Sequence, residues 1–335
     1  MRWRTICVWT KSVLESYRQW RYRCERRFDG LKVECNMGIC DGRVAIVTGG
    51  GRGLGRAYAL MLAAQGAKVL VNDLGSAATG ADTDETPAQE VVNTIRAAGG
   101  EAAINTSDVS DWNAAQAMIQ EAADTFGRLD ILINNAGILR DRMLVNMSED
   151  EWDSVIKVHL KGTFAPLHHA ANYWRVQQKT GKTVDARIIN TTSHSALFAN
   201  IGQANYAAAK GGIATLSQLA ARELKRYGIT VNAVAPRANT RMTEGLREWT
   251  PEQLDERSPD WIAAFVTWLA SPESASITGR VFEAWGKGYS VIESWQHGPQ
   301  AAPSKDPAEL GSRINEIVKF ARANAGIDRN SWVAD

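Results

Sequence analysis

Three side chains close together in sequence have the types and spacing for proton chemistry: Ser193, Tyr206 and Lys210. Tyr206 and Lys210 stand four apart in an alanine-rich segment, a spacing that stacks both on one face of a helix. A free phenol titrates near pH ~10, so it is a poor base at neutrality unless a neighbouring positive charge favours the phenolate. Lys210 is placed to supply that charge, and Tyr206 can then trade a proton with an alcohol or carbonyl oxygen. Ser193 can orient the same oxygen by a hydrogen bond. Tyr and Lys at this spacing also describe an ordinary solvated helix face, so the pair takes its meaning from the elements that precede it.

Those elements begin with Arg43-Val-Ala-Ile-Val-Thr48, a short apolar run ended by glycines, as a buried parallel strand is. The loop Gly49-Gly-Gly-Arg52-Gly53-Leu54-Gly55 then opens an apolar helix over 56–65. Glycines let a backbone approach a pyrophosphate, and a helix N-terminus offers it unpaired N–H groups and a positive dipole end. A second strand over 68–72 ends at Asp73, twenty residues beyond Gly53. A carboxylate there can accept from ribose hydroxyls and repels a 2′-phosphate, which favours NAD over NADP. Arg52 pulls the other way, since a basic loop residue can pair with a 2′-phosphate. Asp73 carries more weight because it sits at the strand tip where the ribose must lie.

The alternation continues with a surface insertion over 74–86, a helix over 87–98 and a strand over 101–106 with Asp108-Val109 at its tip. A helix over 112–126 and a strand over 129–133 lead to Asn134-Asn135-Ala136-Gly137. This order predicts an α/β fold: a Rossmann-type doubly wound parallel sheet in a single domain, with its ligand crevice at the strands' carboxyl ends. Gly49, Asp73, Asp108 and Asn135 all fall there. A long helix over 149–178 contains His159, a strand over 187–191 delivers Ser193, and a helix over about 204–227 carries Tyr206 and Lys210. A sixth strand over 230–235 and a last one over 281–283 follow. Thr250-Pro251 and Ser258-Pro259 each read as an N-cap with Pro at the first helical position. Trp249, Trp261, Phe265 and Trp268 make that region aromatic and read mainly as core.

The chain has 335 residues, 44% hydrophobic and 22% charged, the proportions of a globular protein with a sizeable core. Its net charge of +1 conceals a basic leader, residues 1–36, with nine Lys or Arg against four Asp or Glu. The rest carries a mild negative excess and offers no nucleic-acid surface. Three of the four cysteines lie in the leader and Cys40 just beyond it, without zinc-ligand spacing. A reducing, cytoplasmic setting is the simpler inference. No stretch is long enough to span a membrane. The leader is expected to be disordered or absent from the natural product, with Met37 a second start. The catalytic domain then spans 37–290, and 291–335 is a Pro-punctuated tail with one helix, opened by Asp306-Pro307 and carrying Leu310, Ile314, Ile317 and Val318 on one face. His168, His169, His194 and His297 lack metal-ligand spacing, so no metal is expected.

Taken together, Thr48-Gly49-x-x-x-Gly53-x-Gly55, Asn134-Asn135-Ala136-Gly137, Ser193 and Tyr206-x-x-x-Lys210 resemble the short-chain dehydrogenase/reductase family over about residues 41–290. The resemblance implies that Tyr206 is the acid/base, that Ser193 positions the reacting oxygen, and that Lys210 lowers the Tyr pKa while holding the nicotinamide ribose. It implies a dinucleotide held by Gly49, Arg52, Gly53, Leu54, Gly55, Asp73, Asp108, Val109, Asn135, Ala136, Gly137, Lys210 and Pro236. Two places depart from the common pattern. His159 stands where most members place an asparagine that anchors a proton-relay water; an imidazole can hold that water, or the ring can be a helix histidine without a role. Pro236-Arg237 replaces the usual Pro-Gly. With Gly137-Ile-Leu-Arg-Asp141, Gly202-Gln-Ala-Asn-Tyr206 and Arg241-Met-Thr243, these oddities resemble one branch. That branch comprises the dehydrogenase parts of peroxisomal multifunctional enzymes type 2, or 17β-hydroxysteroid dehydrogenase type 4, and their free-standing bacterial relatives. NAD-dependent oxidation of a 3-hydroxyacyl-CoA, including one with a steroid side chain, is the implied activity, and a homodimer or homotetramer the implied assembly. The alternatives are an NADPH-dependent carbonyl or β-ketoacyl reductase, a hydroxysteroid dehydrogenase, and an idle dinucleotide-binding module.

Overall fold

The computed structural model describes residues 7–8, 22–28, 31–75, 86–239, 249–293, 295–326 and 331–332. Residues 76–85 of the insertion expected over 74–86, and the Arg241-Met-Thr243 motif, lie outside them. In the leader, β1 (Cys7–Val8), β2 (Tyr22–Phe28) and β3 (Leu31–Met37) form a small antiparallel sheet of their own. This differs from the unstructured leader expected above. β2 and β3 pair from Phe28 opposite Leu31, and Asp29-Gly30, the dipeptide favoured in two-residue hairpin loops, stands between them in sequence.

From β4 (Val44–Thr48) onward, strands and helices alternate. β5 (Lys68–Asn72) and β6 (Ala102–Asn105) extend the sheet to one side of β4; β7 (Ile131–Asn134), β8 (Ala186–Thr191), β9 (Ile229–Pro236) and β10 (Val281–Trp285) extend it to the other. All these pairings are parallel. Parallel strands covered on both faces read as continuous apolar runs, and every residue of β4, β7 and β8 is buried. The strand order reverses between β4 and β7, which opens a crevice at their carboxyl ends. The expected last strand is one half of a hairpin: β11 (Gly288–Ile292) pairs antiparallel with β10, so the sheet runs past the expected boundary at 290.

Helices cover both faces. α1 (Gly53–Ala64), α2 (Thr86–Ala97) and α9 (Pro259–Ala270) pack Leu62, Val91, Val92, Ile262 and Val266 on one side. α3 (Trp112–Phe126), α5 (Gly162–Lys179) and the C-terminal half of α7 (Ala204–Leu224) bring Met118, Leu167, Trp174 and Ala221 to the other. Burying each large aliphatic side chain contributes roughly 1.5–3 kcal/mol. The remaining helices are short: α4 (Glu149–Ile156), closed by a capping box between Ser148 and Glu151, α6 (His194–Leu197), α8 (Pro251–Glu256), with its Thr250 cap, and α10 (Leu310–Phe320) in the tail. A short pair, β12 (Asn324–Ala325) and β13 (Ser331–Trp332), lies near the end. The expected continuous helix over 149–178 is interrupted between α4 and α5 by a π-helical turn, Lys157–Lys161, centred on His159. Of the aromatics expected in the core, Trp249, Phe265 and Trp268 are half-buried and Trp261 is exposed. Phe265 stacks on Tyr289 of β11 and meets Phe282 edge-on, so the aromatic cluster covers the edge of the sheet.

Candidate active site

The crevice is built first from Thr48. Its hydroxyl, at the tip of β4, accepts from the backbone N–H of Asn135 at 2.9 Å and of Ala136 at 3.1 Å, and donates to Ile133 O at 3.3 Å. Asn135 Nδ2 in turn donates to the carbonyls of Thr48 at 3.1 Å and Gly49 at 3.2 Å. The glycine loop and the end of β7 are thereby locked together. Gly49 has φ of +62°, and a Cβ on Gly55 would lie 2.0 Å from Gly49 O, so both positions need glycine for backbone reasons. Arg52 stands at the N-cap position of α1 and makes no side-chain cap bond there, and the first turn holds no acidic residue. A helix start of this kind, approached by bare backbone, fits a dinucleotide pyrophosphate.

Asp73 follows β5, and both its oxygens are held by the loop: Oδ2 accepts from Gly51 N at 2.8 Å and Oδ1 from Gly75 N at 2.9 Å. Each oxygen keeps a second lone pair for a ribose hydroxyl. Asp108 Oδ1 accepts from the backbone N–H and hydroxyl of Ser110 at 2.8 and 2.7 Å. Val109, expected among the cofactor contacts, has a buried side chain in the core, 2.8 Å from where a Cβ on Gly162 would lie.

Ser193, Tyr206 and Lys210 meet at the tip of β8. Ser193 caps α6 by accepting from Ser195 N at 3.1 Å, and its hydroxyl lies close enough to the Tyr206 phenol to favour the phenolate. Lys210 Nζ lies 5.7 Å from the Tyr206 ring centroid and donates to Thr191 O at 2.7 Å. Burial pushes the ammonium down to about 7. The phenol behaves differently from the expectation. Burial raises Tyr206 above its ordinary value, and the Ser193 bond only partly opposes this, because in a low-dielectric pocket the cost of the phenolate outweighs one hydrogen bond.

Two groups that sequence reasoning did not single out set Tyr206 in place. Asn205 is fully buried; its Nδ2 donates to Arg140 O at 2.9 Å and Glu151 O at 2.8 Å, while its Oδ1 accepts from Tyr206 N at 2.7 Å. Thr192 Oγ1 donates to Lys210 O at 2.7 Å, tying α7 to β8. Buried Asn and Thr of this kind are the signal that was there to use, since such groups must find partners.

His159 does enter the site. The π turn delivers its ring edge-on to Tyr206, centroids 5.1 Å apart, and against Gly137. Its Nε2 faces the Ile138 backbone, 2.7 Å from O and 3.1 Å from N, and burial beside Lys210 pushes the imidazole down to about 3, so it is neutral. Pro236 closes β9, half-buried. His168 and His169 lie away from the site, clustered with Trp112 on α3 and α5. Among the described residues no three His, Cys, Asp or Glu side chains converge to hold a metal ion.

A doubly wound parallel sheet with a glycine-bounded crevice, and at its edge a buried Ser and Lys beside a half-buried Tyr, defines a dinucleotide-linked oxidoreductase of Rossmann type. Residues 43–251 match the short chain dehydrogenase family, and the chain belongs to it. It is 44% identical to hydroxyacyl-CoA dehydrogenase ChsB1 of Mycobacterium tuberculosis over 82% of this chain and 88% of that one. It is 42% identical to mouse peroxisomal multifunctional enzyme type 2 over 85% of this chain, a match that takes in 38% of the longer protein. A crystal structure of a short chain dehydrogenase from Mycobacterium avium superposes with a TM-score of 0.78 at 49% identity, covering 86% of this chain and 99% of that one.

Proposed function

We propose that this chain is an NAD-dependent dehydrogenase that oxidises a 3-hydroxyacyl-CoA, including one with a steroid side chain, to the 3-oxoacyl-CoA. The observation that carries the reading is the joining of Ser193, Tyr206 and Lys210 beside the glycine loop in a chain similar to a hydroxyacyl-CoA dehydrogenase. Ser193 holds the reacting oxygen, and Tyr206 takes its proton as the carbonyl forms. The bound nicotinamide supplies the hydride acceptor. Asn205 fixes the Tyr206 backbone, Lys210 sets its charge near the ring and would hold the nicotinamide ribose, and neutral His159 is placed to hold a relay water at the ring nitrogen turned away from Ile138. Gly49, Arg52, Gly53, Leu54, Gly55, Asp73, Asp108, Asn135, Ala136, Gly137 and Pro236, with the backbone of Val109, would hold the dinucleotide.

The test is NADH formation on mixing the protein with NAD and a panel of 3-hydroxyacyl-CoAs and free hydroxysteroids. Turnover of the CoA esters with NAD is expected; preference for free steroids, or indifference to the CoA group, would overturn the assignment. Arg52 at the start of α1 is the one feature favouring an NADPH-dependent reductase. Asp73 opposes it, because its carboxylate is held at the β5 tip by Gly51 and Gly75. Asp73→Ala removes that charge and two loop bonds, so NAD affinity should fall about tenfold and discrimination against NADP should relax. A wild-type protein that already prefers NADP reverses the weighting of Asp73 over Arg52.

The proposal takes 37–290 as the catalytic unit and the cytoplasm as its place of work, which imaging of a tagged chain can check. No described helix is long and apolar enough to cross a membrane. α5 and α7 expose Phe164, Val176 and Leu219, a surface suited to a homodimer or homotetramer.

A further inference from the structure

One buried charge cluster lies against the site, and no step above uses it. Glu283 sits in the middle of β10 with 2% of its surface exposed. Its Oε1 is 3.3 Å from His194 Nε2 and 3.5 Å from Arg237 Nη1, and its Oε2 accepts from Ser290 Oγ of β11 at 3.5 Å. His194 is the residue after Ser193, and Arg237 the residue after Pro236. The carboxylate therefore grips two loops that leave the tips of β8 and β9.

Both loops are built to transmit that grip. The Arg237 guanidinium stacks on Trp285, 4.4 Å from its centroid, and the Arg237 backbone N–H donates to Ala284 O at 3.0 Å. The His194 ring packs on Phe198 at 4.7 Å, and the first turn of α6 returns an N–H from Phe198 to His194 O at 3.0 Å. A carboxylate inside a strand loses its hydration, and an apolar side chain would serve the sheet at less cost. What the carboxylate adds is one polar group within ion-pair distance of both loops, the kind of support an active site needs behind its reacting groups. It also accounts for arginine at 237, where the family resemblance leads one to expect glycine.

We propose that Glu283 is a positioning residue: through His194 it sets the backbone that carries the Ser193 hydroxyl, and through Arg237 it sets the turn after Pro236. This rests on the reading of Ser193 and Tyr206 as the pair that handles the substrate oxygen.

The test uses the full chain with Glu283→Gln, which keeps the volume and removes the charge, and Glu283→Asp, which keeps the charge. For Glu283→Gln, kcat with a 3-hydroxyacyl-CoA should fall about tenfold to a hundredfold, as small misplacements of reacting groups do. KM and the thermal midpoint should stay near wild type, and NAD affinity by fluorescence titration should fall by much less than kcat. Amide exchange in 193–199 and 237–239 should quicken, and Glu283→Asp should recover part of both effects. Combined with Ser193→Ala, Glu283→Gln should cost less than it does in the wild-type background, because the part of its effect that runs through His194 reaches the substrate by the Ser193 hydroxyl. Unchanged kcat and exchange in Glu283→Gln overturn the proposal. So does a loss of kcat matched by an equal loss of NAD affinity and stability, which is a general packing defect. If the wild-type chain oxidises no 3-hydroxyacyl-CoA, the substrate reading has failed, and exchange alone decides the positioning role. Faster exchange confined to the two loops sustains it; uniform or unchanged exchange overturns it.

Discussion

At Tyr206 the chemistry depends on a single hydroxyl whose environment favours the protonated form. Burial raises the phenol, so oxidation, which needs the phenolate, should speed up with rising pH on the alkaline side, while reduction, which needs the phenol, should slow over the same range. Tyr206→Phe should lower kcat on the order of 10²–10⁴-fold, abolish that pH dependence and leave dinucleotide binding nearly intact. Comparable turnover in this variant would remove Tyr206 from the mechanism. Lys210 poses the opposite case, a charge that the fold tolerates at a cost. Its value falls from 10.5 to about 7 on burial, so between those limits the unfolded chain binds more protons and stability rises with pH. The penalty is complete below about pH 7 and gone by about pH 10.5, easing by roughly 1.4 kcal/mol per pH unit in between, and the bond to Thr191 O offsets part of it. In the dinucleotide-free protein, Lys210→Met is therefore expected to lose turnover yet melt several degrees higher near pH ~6, with the gain shrinking toward pH ~10. A lower melting point at the acidic end would reject the buried-charge account.

Among the elements, the π turn Lys157–Lys161 does what no regular helix does here: it swings His159 into the space left by Gly137. A Cβ on Gly137 would lie 2.2 Å from His159 Cε1, too close to be absorbed without moving the ring. Such turns recur at functional sites because they aim one side chain out of register with its helix. Gly137→Ala should cost about 1–3 kcal/mol in urea unfolding by overpacking and should slow turnover as the imidazole shifts. Replacing His159 by the smaller Asn in the same background should restore part of the stability, a coupling that a double-mutant cycle reads directly. Strict additivity of the two changes would mean that the ring and the glycine do not press on each other.

For the molecule as a whole, β1–β3 form a sheet separate from the eight strands of the catalytic unit, so deletion of 1–36 is expected to leave melting temperature and kcat unchanged. An insoluble or inactive truncation would show that the leader packs on the body. The apolar side chains exposed on α5 and α7 predict a dimer or larger assembly at micromolar concentration. Sedimentation as a monomer refutes it.

The sequence by itself determined the elements and the crevice. Apolar runs marked β4 and β5, because strands buried on both faces need no polar alternation, and the glycine spacing after Thr48 marked a helix start approached by bare backbone. Asp73 and the Tyr206 to Lys210 interval were legible for the same reason: each is a local feature, set by a few residues of known period. The leader hairpin, β11 and the π turn were missed, the first two because their turn signals were passed over. The π turn has no local signature: it brings His159 against Gly137, a residue about twenty positions away that leaves room for the ring. Tertiary structure alone decided which distant groups meet. Lys210 ends on the carbonyl of Thr191 rather than against the phenol oxygen, Asn205 bridges Arg140 and Glu151, and Glu283 joins the loops at His194 and Arg237. The directions in which Tyr206, Lys210 and His159 shift belong there too. Spacing along the chain says which charges are neighbours, but the loss of water around them, which here outweighs those neighbours, exists only once the sheet, α4, α5 and α7 have closed over the site.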